Sequence, residues 1–214
     1  MYGQFFILFG LILVGYYCNK KGYLPLKTNK NVGHMVMRVT IPAMLITTIA
    51  SIEITDRVLR AFLLSAAGQI AMMVVFGFLM RQYGRKRGLD SRLLPMIDLT
   101  AGSLNTGFIG LPVTMIFFGQ AGIIYMSAGV LALNLYLWSY GVYLISDKKA
   151  TGAAAIGKSF LQGAINPNCI SILLGLLLAV THTARFVPTV VLGFLTKVGD
   201  LSTPLSLIYI GALA

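Results

Sequence analysis

The chain has 214 residues, 57% of them apolar and 11% charged, with a mean hydropathy of +0.83. Soluble domains carry roughly 25% charged residues, so this composition excludes a soluble enzyme and places the chain in a bilayer, where charge is costly. The net charge of +11 does not imply a nucleic-acid partner, because the basic residues lie in short loops between apolar runs.

A span needs about 20 mostly apolar residues to cross about 30 Å of hydrocarbon. The sequence predicts an all-α integral membrane fold of about seven transmembrane helices. The first covers about 2–18 and opens the chain without a basic leader, so it is read as a span and not a signal peptide. The second covers about 32–51 and holds Pro42. The third covers about 58–80. The fourth, about 93–118, is interrupted by glycine and proline. The fifth, about 123–145, ends in Tyr136, Trp138, Tyr140 and Tyr143, which suit an interfacial aromatic belt. The sixth covers about 164–180, and the seventh begins near Pro188.

The basic residues sort by loop. Lys20, Lys21, Lys27 and Lys30 follow span one. Arg81, Arg85, Lys86, Arg87 and Arg92 follow span three, and Lys148, Lys149 and Lys158 follow span five. Arg57, Arg60 and Arg185 fall on the other side. By the positive-inside rule the first three loops are cytoplasmic and the N-terminus is outside. A multi-pass protein of the cell membrane is expected.

An internal repeat is legible. VTIPAMLI around Pro42 matches LSTPLSLI around Pro204. GYLP, ending at Pro25, matches ARFVP, ending at Pro188, at nearly the same offset. Five spans separate the copies, so the second enters from the opposite face, as in the inverted repeats of many secondary transporters. A symmetric design would need on the order of 90–100 further residues. The chain is therefore expected to be C-terminally truncated or one piece of a split protein.

The richest segment is DLTAGSLNTGFIGLPVTMIFF, with Gly102, Asn105, Thr106, Gly107, Gly110 and Pro112. Pro112 lacks an N–H and crowds the preceding turn, so the helix is expected to be discontinuous within this segment. The glycines allow unwinding and close approach, and Asn105 can serve freed peptide groups. A helix interrupted in lipid is tolerated where it lines a cavity. A half-helix N-terminus would favour an anion.

Asp98 shares a helical face with Gly102 and Asn105. An intramembrane carboxylate is a candidate for proton or cation coupling, or else it pairs with Arg92 or another basic residue. Lys197 and Asp200 are expected to pair across a turn. Gln69 and Asn134 are expected to hydrogen-bond between helices. His34 and His182 look interfacial. Cys18 and Cys169 form no metal-ligand pattern. No cofactor motif, Gly-Lys phosphate loop, HExxH or GxSxG is present, so neither ATP nor enzymatic catalysis is implied.

GSLNTGFIGLPV resembles the Asn-containing, Gly-Pro broken fourth helix of the auxin efflux carrier family, and TPLSLIYIGALA is similar to its seventh helix. The resemblance implies a ten-helix fold of two inverted five-helix repeats, with the fourth and ninth helices broken and crossed. Residues 1–145 would be the first repeat, 146–163 a cytoplasmic loop, and 164–214 the start of the second, with the last three helices absent. The implied function is secondary, elevator-like efflux of small organic anions such as malonate or auxin-like carboxylates. Asn105, Thr106, Gly107, Gly110 and Pro112 would form the first half of the crossover. Membrane lipid is a partner throughout, and a homodimer or a separate C-terminal half would complete the site. Two other readings stand beside this one. A carrier of the bile-acid sodium symporter type would place sodium ligands near Asn105 and Thr106. A non-transporting subunit or assembly partner would need no complete site.

Overall fold

Peptide groups in lipid must be bonded within the protein, and a helix does this inside one segment. The computed structural model describes residues 2–145 and 165–214, and no strand occurs among them. The helices are α1 (Tyr2–Lys20), α2 (Leu26–Met35), α3 (Ile41–Ala50), α4 (Asp56–Lys86) and α5 (Leu94–Gly102). They continue with α6 (Leu111–Leu135), α7 (Val142–Ile145), α8 (Pro167–Val180), α9 (Thr189–Asp200) and α10 (Ser202–Gly211). Wide π turns join α2 to α3 (Val36–Thr40), precede α6 (Thr106–Gly110) and join α6 to α7 (Tyr136–Gly141).

Five segments are long and apolar enough to span a bilayer, and Pro167–Val180 is a shorter apolar helix. Each of the seven expected spans coincides with helix over most of its described length. They differ at the edges, because helix continues into segments read as loop. The second span starts at Leu26, and α4 runs to Lys86. Thr55 starts α4 by accepting the Val58 N–H at 3.3 Å. Spans four and five run together but for two interruptions. One lies at residues 103–105, and the other at Gly119, whose φ of 63° and ψ of −157° turn the chain. The expected loop at 146–163, with Lys148, Lys149 and Lys158, lies outside the described residues.

The main core surrounds α3. Val36, Ile41, Leu45 and Ile49 pack with Leu111, Ile123, Ile124 and Ile172. Span two is accordingly the most enclosed, while α1 and α4 present mostly apolar side chains outward, as lipid-facing helices do. α3 packs along α8 and α9, and α1 packs along α10. The α1–α10 approach is backbone to backbone. A Cβ at Gly15 would collide with the Ile208 carbonyl, and one at Gly211 with the Ile12 carbonyl. Asn19 Nδ2 donates to the Ala212 carbonyl at 2.9 Å and Asn29 Nδ2 to the Tyr209 carbonyl at 3.2 Å. These bonds serve carbonyls that the end of α10 leaves free. At the other end of the molecule, Ser51 and Glu53 share a cavity with His182 and Arg185.

Candidate functional site

Within the segment expected to be discontinuous, the helix is interrupted at residues 103–105, and Pro112 lies inside the helix that follows. Gly102 ends α5, Ser103 is extended (ψ 104°), and Asn105 (φ −80°, ψ 69°) forms an inverse γ-turn. Asn105 Oδ1 then accepts the Phe108 N–H at 3.1 Å and starts a new helix as its N-cap. The first turn is wide, with the Gly110 N–H donating to the Asn105 carbonyl at 3.0 Å. That widening relieves the crowding a proline imposes, so Pro112 sits buried within continuous helix.

The other expected crossover residues gather around this turn. Thr106 is buried, and its N–H donates to the Leu104 carbonyl at 2.9 Å. A Cβ at Gly107 would stand 3.3 Å from Met37 Sδ, and one at Gly110 would meet the Met126 methyl. The two wide turns, one in span two and one in span four, therefore touch through Gly107 and Met37. Asn105 itself is exposed, and its Nδ2 makes no hydrogen bond within the described residues.

Beside the turn lies a cavity of about 300 Å³, lined by Lys30, Gly33, His34, Met37, Phe108 and Tyr209. Lys30 and His34 stand one turn apart on α2 and share a face. The Phe108 and Tyr209 rings stack at 4.5 Å, and Tyr209 packs on the bare backbone of Gly33. Sequence reasoning placed His34 at the interface and did not single out Lys30, Phe108 or Tyr209. The spacing of Lys30 and His34 was a readable signal. A larger groove, about 440 Å³, lies between α4 and the helix after the break and includes Ser65, Gln69, Thr114 and Tyr125. It carries no charged side chain and suits an anion less well.

Asp98 is fully buried and some distance along the chain from the break. Tyr140 Oη donates to its Oδ2 at 2.9 Å, and Arg81 Nη1 forms an ion pair with the same oxygen at 3.5 Å. Its partner is thus Arg81 rather than Arg92. Tyr136 Oη donates to the Asp98 carbonyl at 3.4 Å. Tyr136 and Tyr140 consequently face inward, and only Trp138 and Tyr143 of the expected aromatic belt are exposed. Glycines permit this packing. A Cβ at Gly77 would collide with the Asp98 carboxyl, and one at Gly102 with Tyr136 Oη.

Three polar expectations need correcting. Asn134 Nδ2 donates to the Val130 carbonyl of its own helix at 2.8 Å. Gln69 Nε2 donates to Ser65 Oγ, again within one helix, although its amide fills the space beside Gly129. Lys197 and Asp200 are exposed and unpaired, since Arg81–Asp98 is the one ion pair among the described residues.

The family model described as "Membrane transport protein" matches residues 1–213. The chain belongs to this family. The match bears out the resemblance to auxin efflux carriers and makes the chain a multi-pass membrane protein of a transporter family rather than an enzyme family. A transporter of Methanothermobacter thermautotrophicus, described as uncharacterized, is 28% identical over 117 residues. That match covers 53% of this chain and 37% of the relative, well under two thirds of its length.

Proposed function

We propose that this member of the membrane transport protein family carries small organic anions as a secondary transporter, by elevator-like alternating access. The observation that supports this reading is the cationic cavity against the broken helix. Lys30 supplies positive charge, His34 a ring N–H donor, Asn105 Nδ2 a donor one turn from Phe108 that is unpaired among the described residues, and the walls are apolar. Such a mix suits a carboxylate whose remaining atoms are apolar. The volume is at the low end for ligand pockets, which favours a substrate the size of malonate. An auxin-like carboxylate is the larger alternative.

The packing favours a division of labour. α4, α5 and the end of α6 are tied together through Asp98, Arg81, Tyr136 and Tyr140, and would move as one unit. α1–α3 and α8–α10 are tied through α1–α10 and α3–α8, and would stay fixed. An inverted repeat that equates span one with six and span two with seven would exchange those two pairings. A second copy or a separate C-terminal half would close the other side of the cavity.

Uptake of radiolabelled malonate into proteoliposomes tests the reading, with the chain alone and with a C-terminal half supplied. Saturable uptake, lost in Asn105→Ala and weakened in Lys30→Gln, is the expected result. Absence of uptake from folded protein in both preparations would sink malonate as the substrate. Uptake unaffected by either substitution would sink the cavity as the site.

A further inference from the structure

Asp98 has no exposed surface, and both groups that reach its carboxyl arrive at one oxygen, Oδ2. Among the described residues Oδ1 has no hydrogen-bond partner, and it lies against the bare backbone of Gly77. An ionised carboxylate accepts hydrogen bonds at both oxygens, so Oδ1 is the oxygen open to a proton. A proton on Oδ1 removes that charge and leaves Oδ2 as a carbonyl still accepting from Tyr140.

Arg81 makes the reverse arrangement accessible as well. Its side chain is 32% exposed, so it already touches the surroundings from its docked position. Released from Asp98, its guanidinium can extend along its aliphatic stem to water and keep its charge there. Two arrangements are thus open: an ionised Asp98 with Arg81 docked, or a neutral Asp98 with Arg81 turned outward. The groups facing Asp98 are Arg81 from α4, and Tyr136 and Tyr140 from the π turn after α6. α5 itself has no other ionisable residue, and α7, which also packs on α5, contributes only the exposed Tyr143.

We propose that Asp98 is a reversible proton-binding site, filled at Oδ1 and releasing Arg81 as it fills. The step is a plain acid–base transfer. The carboxylate gains one proton from hydronium, and the net charge of the cluster rises by one. Under the carrier reading, on which this second part rests, the proton is the coupling ion for the anion.

Infrared spectroscopy of the chain in lipid nanodiscs at stepped pH tests the site, with isotope labelling of the aspartate carboxyls. A protonated-carboxyl band that comes and goes reversibly, moves on labelling and is missing in Asp98→Asn is expected. In Tyr140→Phe that band rises in frequency, because the Oδ2 carbonyl loses its donor. No such band in labelled wild type at any pH that preserves the fold overturns the site, as does a band unmoved in Tyr140→Phe. These two measurements decide even if Asp98→Asn fails to fold.

Coupling is read separately, as malonate uptake under an imposed proton gradient. Gradient-dependent uptake in wild type that becomes gradient-independent in Asp98→Asn supports it. Uptake indifferent to the gradient in wild type overturns the coupling. A titrating Asp98 without any malonate uptake overturns the malonate reading and upholds the proton site.

Discussion

Asn105 divides its side chain between two tasks. Oδ1 caps the helix that follows the break, and Nδ2 makes no hydrogen bond among the described residues, which leaves it for the proposed substrate. The two tasks can be separated by substitution. Asn105→Asp keeps an acceptor for the Phe108 N–H and puts a negative charge where an anion would bind. Thermal melting in detergent should then stay close to wild type while malonate uptake is lost. Asn105→Ala removes the cap and should lower stability by about 1 kcal/mol. Equal melting of all three proteins would remove the cap from the argument. Asn105 was legible in the sequence because a lone amide among glycines has few structural uses in lipid. The partners of Asp98 were not. Arg81, Tyr136 and Tyr140 come from two other elements, and no local spacing encodes which helix faces will meet. Their only trace was the pairing of small residues, Gly77 and Gly102, with the tyrosines that need the room.

At the scale of elements, the interruption of span four was legible within residues 98–118 but not to the residue. Pro112 draws attention as a helix breaker, yet the wide turn at Thr106–Gly110 accommodates it, and the cap at Asn105 decides where the new helix begins. Hydropathy likewise marked apolar cores and missed the polar turns that extend α2 and α4, since helical bonding does not stop where apolarity does. The α1–α10 pair offers a sharper test of packing. Gly15 and Gly211 let two backbones touch, so Gly15→Val or Gly211→Val should force the helices apart. Overpacking of this kind costs about 1–3 kcal/mol. Gly10→Val on the same helix, where a Cβ meets nothing, should leave the melting temperature near wild type. Equal effects at Gly10 and Gly15 would mean that the close approach contributes nothing.

For the molecule as a whole, membrane sidedness is the claim most open to direct measurement. The end of α1 and the end of α10 lie together, through Asn19 and Ala212. Glu53 and His182 share the opposite end. With Cys18→Ser and Cys169→Ser as background, Lys21→Cys should react with an impermeant maleimide only from the cytoplasmic side. Glu53→Cys should react only from outside. The reverse pattern would invert the topology drawn from the basic loops. The length of α4 adds a mechanical consequence. Its 31 residues extend about 46 Å at 1.5 Å per residue, against about 30 Å of hydrocarbon. Even a tilt of about 40°, the upper end for spanning helices, leaves part of it projecting. No proline or non-helical residue interrupts it. The stretch around Arg85 and Lys86 is therefore a rigid pointer standing outside the oil, rooted in the helix that carries Arg81. Any rotation of the unit around Asp98 is conveyed along it without a hinge, to a place where a spin label or an antibody fragment can read its angle.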